Sequence, residues 1–236
     1  MLPPSPIEVR LIRLGEAVAL SVFLSLLGIS LKRLWKVGPV LGAAPMVAYV
    51  SGYAHFLLDV WTRFGRIPLH LLAEPATLFV SSLTFLVVLR TFYVGLASRN
   101  YLEPHPELLR TFTEATRKVG VRAKLSVLDR GDPVVYTTIS FTPRVVISVG
   151  ALEGLGEEEL AAVLYHELSH VKLGHMSLKV IYYATLVVAF LNPLQVRLYR
   201  MAINEMEKEA DAMAASMVGG KALTSALVKL SEPLRY

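Results

Sequence analysis

Cysteine is absent from this chain of 236 residues. That excludes disulfides and any metal site built on sulfur, and leaves histidine and the acids as the only strong ligands. Charge is scarce too. Asp, Glu, Lys and Arg together make up 18% of the residues, against 54% hydrophobic, with a mean hydropathy of +0.51. An ordinary soluble domain carries about 25% charged residues, so the composition points to a membrane protein. No internal repeat or low-complexity tract is visible. The first apolar stretch lacks a small-residue cleavage site and is followed by Lys32 and Arg33, so it reads as a retained span rather than a signal peptide. The net charge is +5. In so apolar a chain, bases flank membrane spans, and nucleic acid is not an expected partner.

The apolar runs define a first region, residues 1–99, expected to hold about three transmembrane helices: Leu14–Leu31, Val37–Val60 and Leu69–Ala97. Lys32, Arg33 and Lys36 lie between the first two, and Arg63 and Arg66 between the second and third. With three spans, the Lys32–Lys36 loop and everything after Ala97 share one side. That side carries most of the Lys and Arg, which makes it cytoplasmic. The expectation is a multi-pass protein of the cell membrane, in contact with the lipid bilayer, with residues 100–236 in the cytoplasm.

From Asn100 the sequence turns mixed and charged. Pro104–Val119 reads as an amphipathic helix, with Leu108, Leu109, Phe112, Ala115, Thr116 and Val119 on one side. Leu125–Leu128, Val134–Ile139 and Arg144–Val149 read as short strands in a hairpin-like sheet, separated by turn residues. Two roles for that sheet remain open: an edge that accepts an extended peptide, or a layer that packs under the next helix. Fold class is therefore mainly α with a small β-sheet (α+β), the helices of the membrane region coming first.

The segment Glu157–Leu173 carries the chemistry. Glu157, Glu158 and Glu159 suit the positive end of a helix dipole, the apolar residues recur at helical spacing, and Gly174 is placed to end the helix. His166 and His170 are four apart, so both imidazoles leave one face. Two such imidazoles can hold a zinc ion, while Glu167 reaches a water on the metal without binding the metal itself. This is an HExxH arrangement, here His-Glu-Leu-Ser-His.

Zinc needs a third protein ligand and an open fourth position. His175 reads as a residue closing the HExxH helix. Glu207, in Glu207-Lys208-Glu209-Ala210-Asp211, is the better candidate. Glu207 and Asp211 share a helix face, so one acid can bind metal while the other holds a histidine ring. Glu205 with Glu209 is an equally regular pair on spacing alone. Ile203, Ala210, Ala214 and Met217 place the buried side with Glu207, and leave Glu205 and Glu209 nearer solvent with Lys208 and Arg197. Leu178–Leu191 spans roughly 20 Å as a helix, against a bilayer core of about 30 Å. It is expected to form a helical hairpin turning at Asn192-Pro193, packed on the domain or dipping into the bilayer.

With these residues the chain resembles membrane gluzincin metallopeptidases. His-Glu-Leu-Ser-His followed by the Glu207–Asp211 ExxxD is similar to the pattern shared by the CAAX prenyl proteases, the HtpX heat-shock proteases and the BlaR/MecR beta-lactam sensor-transducers. The likeness is best over Pro133–Ala214. The single apolar stretch between His170 and Glu207 looks more like the BlaR/MecR type. The resemblance implies a gluzincin-type metallopeptidase domain over residues 100–236. It implies Zn2+ on His166, His170 and Glu207, Glu167 as general base, and Asp211 orienting His166 without touching the metal. It implies a zinc metalloendopeptidase acting on membrane or cytosolic proteins or peptides. The alternatives are a signal transducer that cleaves a repressor or itself, and a catalytically silent membrane scaffold. Neither the oxyanion-stabilising group nor the oligomeric state is readable from spacing.

Overall fold

A computed structural model describes residues 6–65, 101–138 and 142–231. The expected span Leu69–Ala97 lies outside these residues, as does Ile139 at the end of one expected strand. The described chain is mainly helical with one small mixed sheet. It divides into two compact units: Met1–Leu89 with Val180–Ile203, and Arg90–Lys179 with Asn204–Tyr236.

In the first unit, helix α1 (Pro6–Ser30) and helix α2 (Gly38–Phe64) pack on each other through a short connection. Within α1, Val9–Ser30 is long and apolar enough to cross a bilayer. Leu20, Phe23, Leu26 and Leu27 lie exposed along it. The second half of the unit is a helical hairpin. It is formed by the end of α6 (His175–Val188), a turn over 189–193, and the start of α7 (Leu194–Val218). The break falls where Asn192-Pro193 predicts it. Ala189 packs with Ala43 and Met46, among Ala17 and Val18.

The turn is tied by polar groups that sequence patterning does not reveal. Asn192 Nδ2 donates to Ser21 Oγ at 2.9 Å and Ser25 Oγ at 2.8 Å, and Asn192 Oδ1 accepts from the Leu194 N–H at 3.0 Å. Gln195 Nε2 donates to Pro39 O at 2.7 Å and Thr185 Oγ1 at 2.9 Å. Ser21 Oγ in turn donates to Gly42 O. Gly42 leaves the room this network needs, since a Cβ there would run into Ser25 Oγ, and a Cβ on Gly28 would press on the Gly38 backbone at 3.2 Å. Small residues that let backbones meet, with hydroxyls and amides bonding across, are how helices associate without a hydrophobic driving force.

The second unit opens with β1 (Tyr101–Leu102) and α3 (Pro106–Val119), which starts with Pro at its first turn and ends at Gly120 in the left-handed region. Strands β2 (Lys124–Leu128), β3 (Val135–Thr138) and β4 (Arg144–Ser148) follow. The sheet order is β1-β2-β4-β3, with β2 and β4 parallel and the other pairs antiparallel. The expected hairpin-like arrangement holds for β3 and β4, which pair antiparallel, and is corrected for β2, which pairs with β4 in parallel. β4 sits between β2 and β3, so Val145, Val146 and Ile147 are buried on both faces, as a continuous apolar run requires. The parallel pairing needs a crossover, which β3 and its turns supply.

A short helix α4 (Val149–Gly154) leads into α5 (Glu157–Lys172), the HExxH helix. Gly150 must be glycine, because a Cβ there would meet the Gly131 carbonyl. Glu159 closes the start of α5 by accepting from the Gly156 N–H at 2.8 Å. The same carboxylate accepts from Ser225 and Lys229 of α8 (Gly220–Ser231), which holds its pKa down at about 2. α5 is the middle of this unit. Leu164 and Leu168 are fully buried among Phe112 of α3, Val145 and Ile147 of β4, Ala214 of α7 and Leu223 of α8. Each such leucine contributes about 1.5–3 kcal/mol relative to exposure. The helix that carries the histidines is thus clamped from several sides.

Candidate metal centre

His166 and His170 leave α5 on one face and are both buried. Their rings stand edge to face with centroids 4.8 Å apart. Glu207, projecting from α7, meets them. The distances are 3.2 Å from His166 Nε2 to His170 Nε2, 3.2 Å from His170 Nε2 to Glu207 Oε2, and 3.5 Å from His166 Nε2 to Glu207 Oε2. These three residues form a group able to hold a metal ion.

The triangle fits zinc. Tetrahedral ligands at about 2.0–2.1 Å from an ion stand roughly 3.3–3.4 Å from one another. The donor set of two imidazoles and one carboxylate suits the same ion and leaves one position open. The far nitrogen of His166 also fits: Nδ1 and Asp211 Oδ1 are both buried without a hydrogen bond and lie 2.9 Å apart, so a proton that metal binding through Nε2 would leave on Nδ1 has a carboxylate beside it. Lys179 of α6 donates to Glu207 Oε1 at 3.0 Å, so Oε2 alone turns towards the histidines.

Charge around the site favours a cation. Burial opposes protonation of His166, but Glu207, Glu167 and Asp211 together hold its pKa above the ordinary 6.5. Burial raises the Glu207 carboxyl, but the hydrogen bonds from His166, His170 and Lys179 outweigh it and hold the group well below the usual carboxylate range.

Glu167 follows His166 on α5. Its Oε2 accepts a hydrogen bond of 2.8 Å from Thr137 Oγ1 of β3, the edge strand of the sheet. The sequence reading missed Thr137, and nothing in its local pattern marks it.

Two expectations need correction. His175 does not close the HExxH helix; Gly174, with φ of 70°, ends α5 and lets α6 begin at His175. Its ring is fully buried, with Nδ1 3.0 Å from His170 Nδ1. Glu209 is not on a remote solvent face, since its Oε2 lies 3.3 Å from His175 Nε2. Burial holds His175 below the ordinary imidazole pKa, against the opposing pull of Glu209. Glu205 pairs instead with Lys208 at 2.7 Å, although its side chain is no more exposed than that of Glu209.

The profile described as BlaR1 peptidase M56 matches residues 78–222, more than half of the chain. The chain belongs to the BlaR1 peptidase M56 family. This M56 chain is also 29% identical, over 166 residues, to a protease HtpX homolog of Acidiphilium cryptum (strain JF-5). That match takes in 56% of the M56 chain and 58% of the relative, so the chain spans less than two thirds of the relative's length. The crystal structure of S. mikatae Ste24p aligns with a TM-score of 0.48 at 18% identity, covering 80% of the M56 chain and 57% of the other.

Proposed function

We propose that this chain is a membrane-embedded zinc metalloendopeptidase that hydrolyses peptide bonds of membrane or cytosolic proteins. The observation that carries the reading is the triangle of His166 Nε2, His170 Nε2 and Glu207 Oε2, beside a Glu167 that does not belong to it. Bound there, zinc supplies Lewis-acid polarisation of the scissile carbonyl and acidification of water at its open position.

The chain's own residues do the rest. His166 and His170 present neutral Nε2 atoms, and Asp211 keeps the His166 proton on Nδ1. Lys179 restricts Glu207 to one ligand oxygen. Glu167 takes a proton from the attacking water and returns it to the leaving amine. Thr137 steadies that carboxylate through Oε2, leaving Oε1 for the transfer. β3 stands against α5 as an edge strand, so an extended peptide added to it would lie along the site.

Removing metal with a chelator is expected to abolish hydrolysis, and zinc to restore it. Zinc affinity is also expected to fall with acidification. Binding needs His166 neutral, and the surrounding carboxylates keep its pKa above 6.5, so proton competition begins above that value and deepens below it. A chelator-competition titration between about pH 5 and 8 measures this. An affinity flat across that range contradicts the assignment.

Two features support the membrane reading. Val9–Ser30 can cross a bilayer, and the hairpin turn packs against Ala17 and Val18, roughly 18 Å along α1 from Ser30. A core of about 30 Å would therefore hold the turn near its middle. Non-helical backbone is tolerated at that depth only when buried in protein with its polar groups bonded, and the buried Asn192 amide is bonded at both its Nδ2 and its Oδ1. We assign residues after Asn100 to the cytoplasmic side. Because the chain has no native cysteine, single cysteines test both points. Glu114→Cys, on exposed α3, should react with an impermeant maleimide only once cells are opened. Phe190→Cys, at the outer surface of the turn, should stay unreactive until the membrane is dissolved. Labelling of Glu114→Cys in intact cells would reverse the orientation, and ready labelling of Phe190→Cys would place the hairpin in water.

A further inference from the structure

The two imidazoles of the metal triangle are backed differently. Behind His166 stands a carboxylate, Asp211. Behind His170 stands another imidazole: His175 Nδ1 at 3.0 Å from His170 Nδ1, with His175 Nε2 at 3.3 Å from Glu209 Oε2. We propose that Glu209 acts on the metal through His175, in a carboxylate–imidazole–imidazole relay that fixes the ring and tautomer of His170. The proposal rests on the reading of His166, His170 and Glu207 as zinc ligands, and adds a pair of positioning residues to it.

Proton bookkeeping admits one arrangement. A neutral His170 that gives Nε2 to metal carries its proton on Nδ1. The facing Nδ1 of His175 must then accept, so the His175 proton sits on Nε2, where Glu209 receives it. Reversing either ring would set two N–H groups, or two lone pairs, against each other. His175 is fully buried, so solvent does not serve as a substitute partner for His170. The contact also holds the rings at 65° with centroids 5.1 Å apart, an orientation a freely turning His170 would lose. Through this chain Glu209 holds the His170 ring in place towards the ion, as Asp211 does directly for His166.

The relay explains an acid that spacing had set aside. Glu207 and Glu209 are two positions apart on α7, roughly 200° around the helix, so one short side chain cannot do the work of the other. His175, starting α6, bridges the difference. The next turn of α6 brings Lys179 to Glu207.

The alternative is that Glu209 only satisfies a buried histidine and leaves the metal untouched. Zinc affinity in a double-mutant cycle separates the two. Full-length wild type, Glu209→Gln, His175→Phe and the double variant are purified and titrated with zinc against a chelator of known affinity. Cobalt(II) absorption is read in parallel. Each single variant is expected to bind zinc about 10–100-fold more weakly. The double variant should be no weaker than His175→Phe, because Glu209 then has no path to the ligand. A further loss on adding Glu209→Gln to His175→Phe overturns the relay. So does wild-type affinity in folded Glu209→Gln while Glu207→Gln has lost its zinc, an outcome that leaves the metal site itself standing. A wild type that takes up no zinc, or a Glu207→Gln variant that keeps it, overturns the metal site and the relay together. Should His175→Phe fail to fold, Glu209→Gln decides. Its cobalt spectrum should shift while the melting temperature of the metal-free chain stays at wild type, and an unchanged spectrum rejects the proposal.

Discussion

Glu167→Gln is expected to cut peptide hydrolysis by about 10²–10⁴-fold or more while zinc content stays at wild type. The argument is one of separable roles. Glu167 lies outside the His166, His170 and Glu207 triangle, so its loss removes no metal donor. The glutamine keeps the length of the side chain and an oxygen able to accept from Thr137 Oγ1, so β3 and α5 stay coupled. What disappears is the carboxylate that takes the proton from water. Metal analysis and hydrolysis rate are read on the same preparation. Full activity would remove Glu167 from the mechanism. Joint loss of zinc and activity would show that it helps bind the ion, or that α5 has been disturbed.

Glu207→Gln should empty the site. An amide is a poor replacement for a charged ligand oxygen, and two histidines without a carboxylate hold zinc weakly. Lys179, which Glu207 neutralises at 3.0 Å, would also be left as an unpaired cation beside the metal position. Both effects act in the same direction. Asp211→Asn should weaken binding less, by about 10–100-fold, because it only loosens the His166 ring from behind. Glu205→Gln should leave occupancy unchanged, since Glu205 pairs with Lys208 away from the histidines. Zinc per chain in these three variants, beside wild type, gives the ranking. Retained zinc in Glu207→Gln would show that another group completes the site.

The parts of this arrangement that were legible in sequence are those written at helical spacing. His166 with His170 and Glu207 with Asp211 each lie four apart, and each pair shares a face. His175 and Lys179 form a third such pair on α6, but the signal was masked. Gly174 ends one helix and allows the next to start at once, so His175 looked like a tail residue rather than a first residue. Strands were legible as apolar runs, whereas their order was not. The parallel β2–β4 pairing is non-local, and β1 is only two residues long. Thr137 was beyond reach for the same reason, its partner Glu167 being thirty positions away. In the first unit the Asn192-Pro193 break was visible, but the serines that Asn192 bonds stand 171 and 167 positions earlier.

The most direct test of the account is X-ray absorption at the zinc edge of the purified, zinc-loaded wild-type chain. The account predicts two imidazoles per zinc, from His166 and His170, with the remaining donors oxygen at about 2.0–2.2 Å. Three imidazoles, which would make His175 a ligand in place of Glu207, or a chain that binds no zinc, would contradict it.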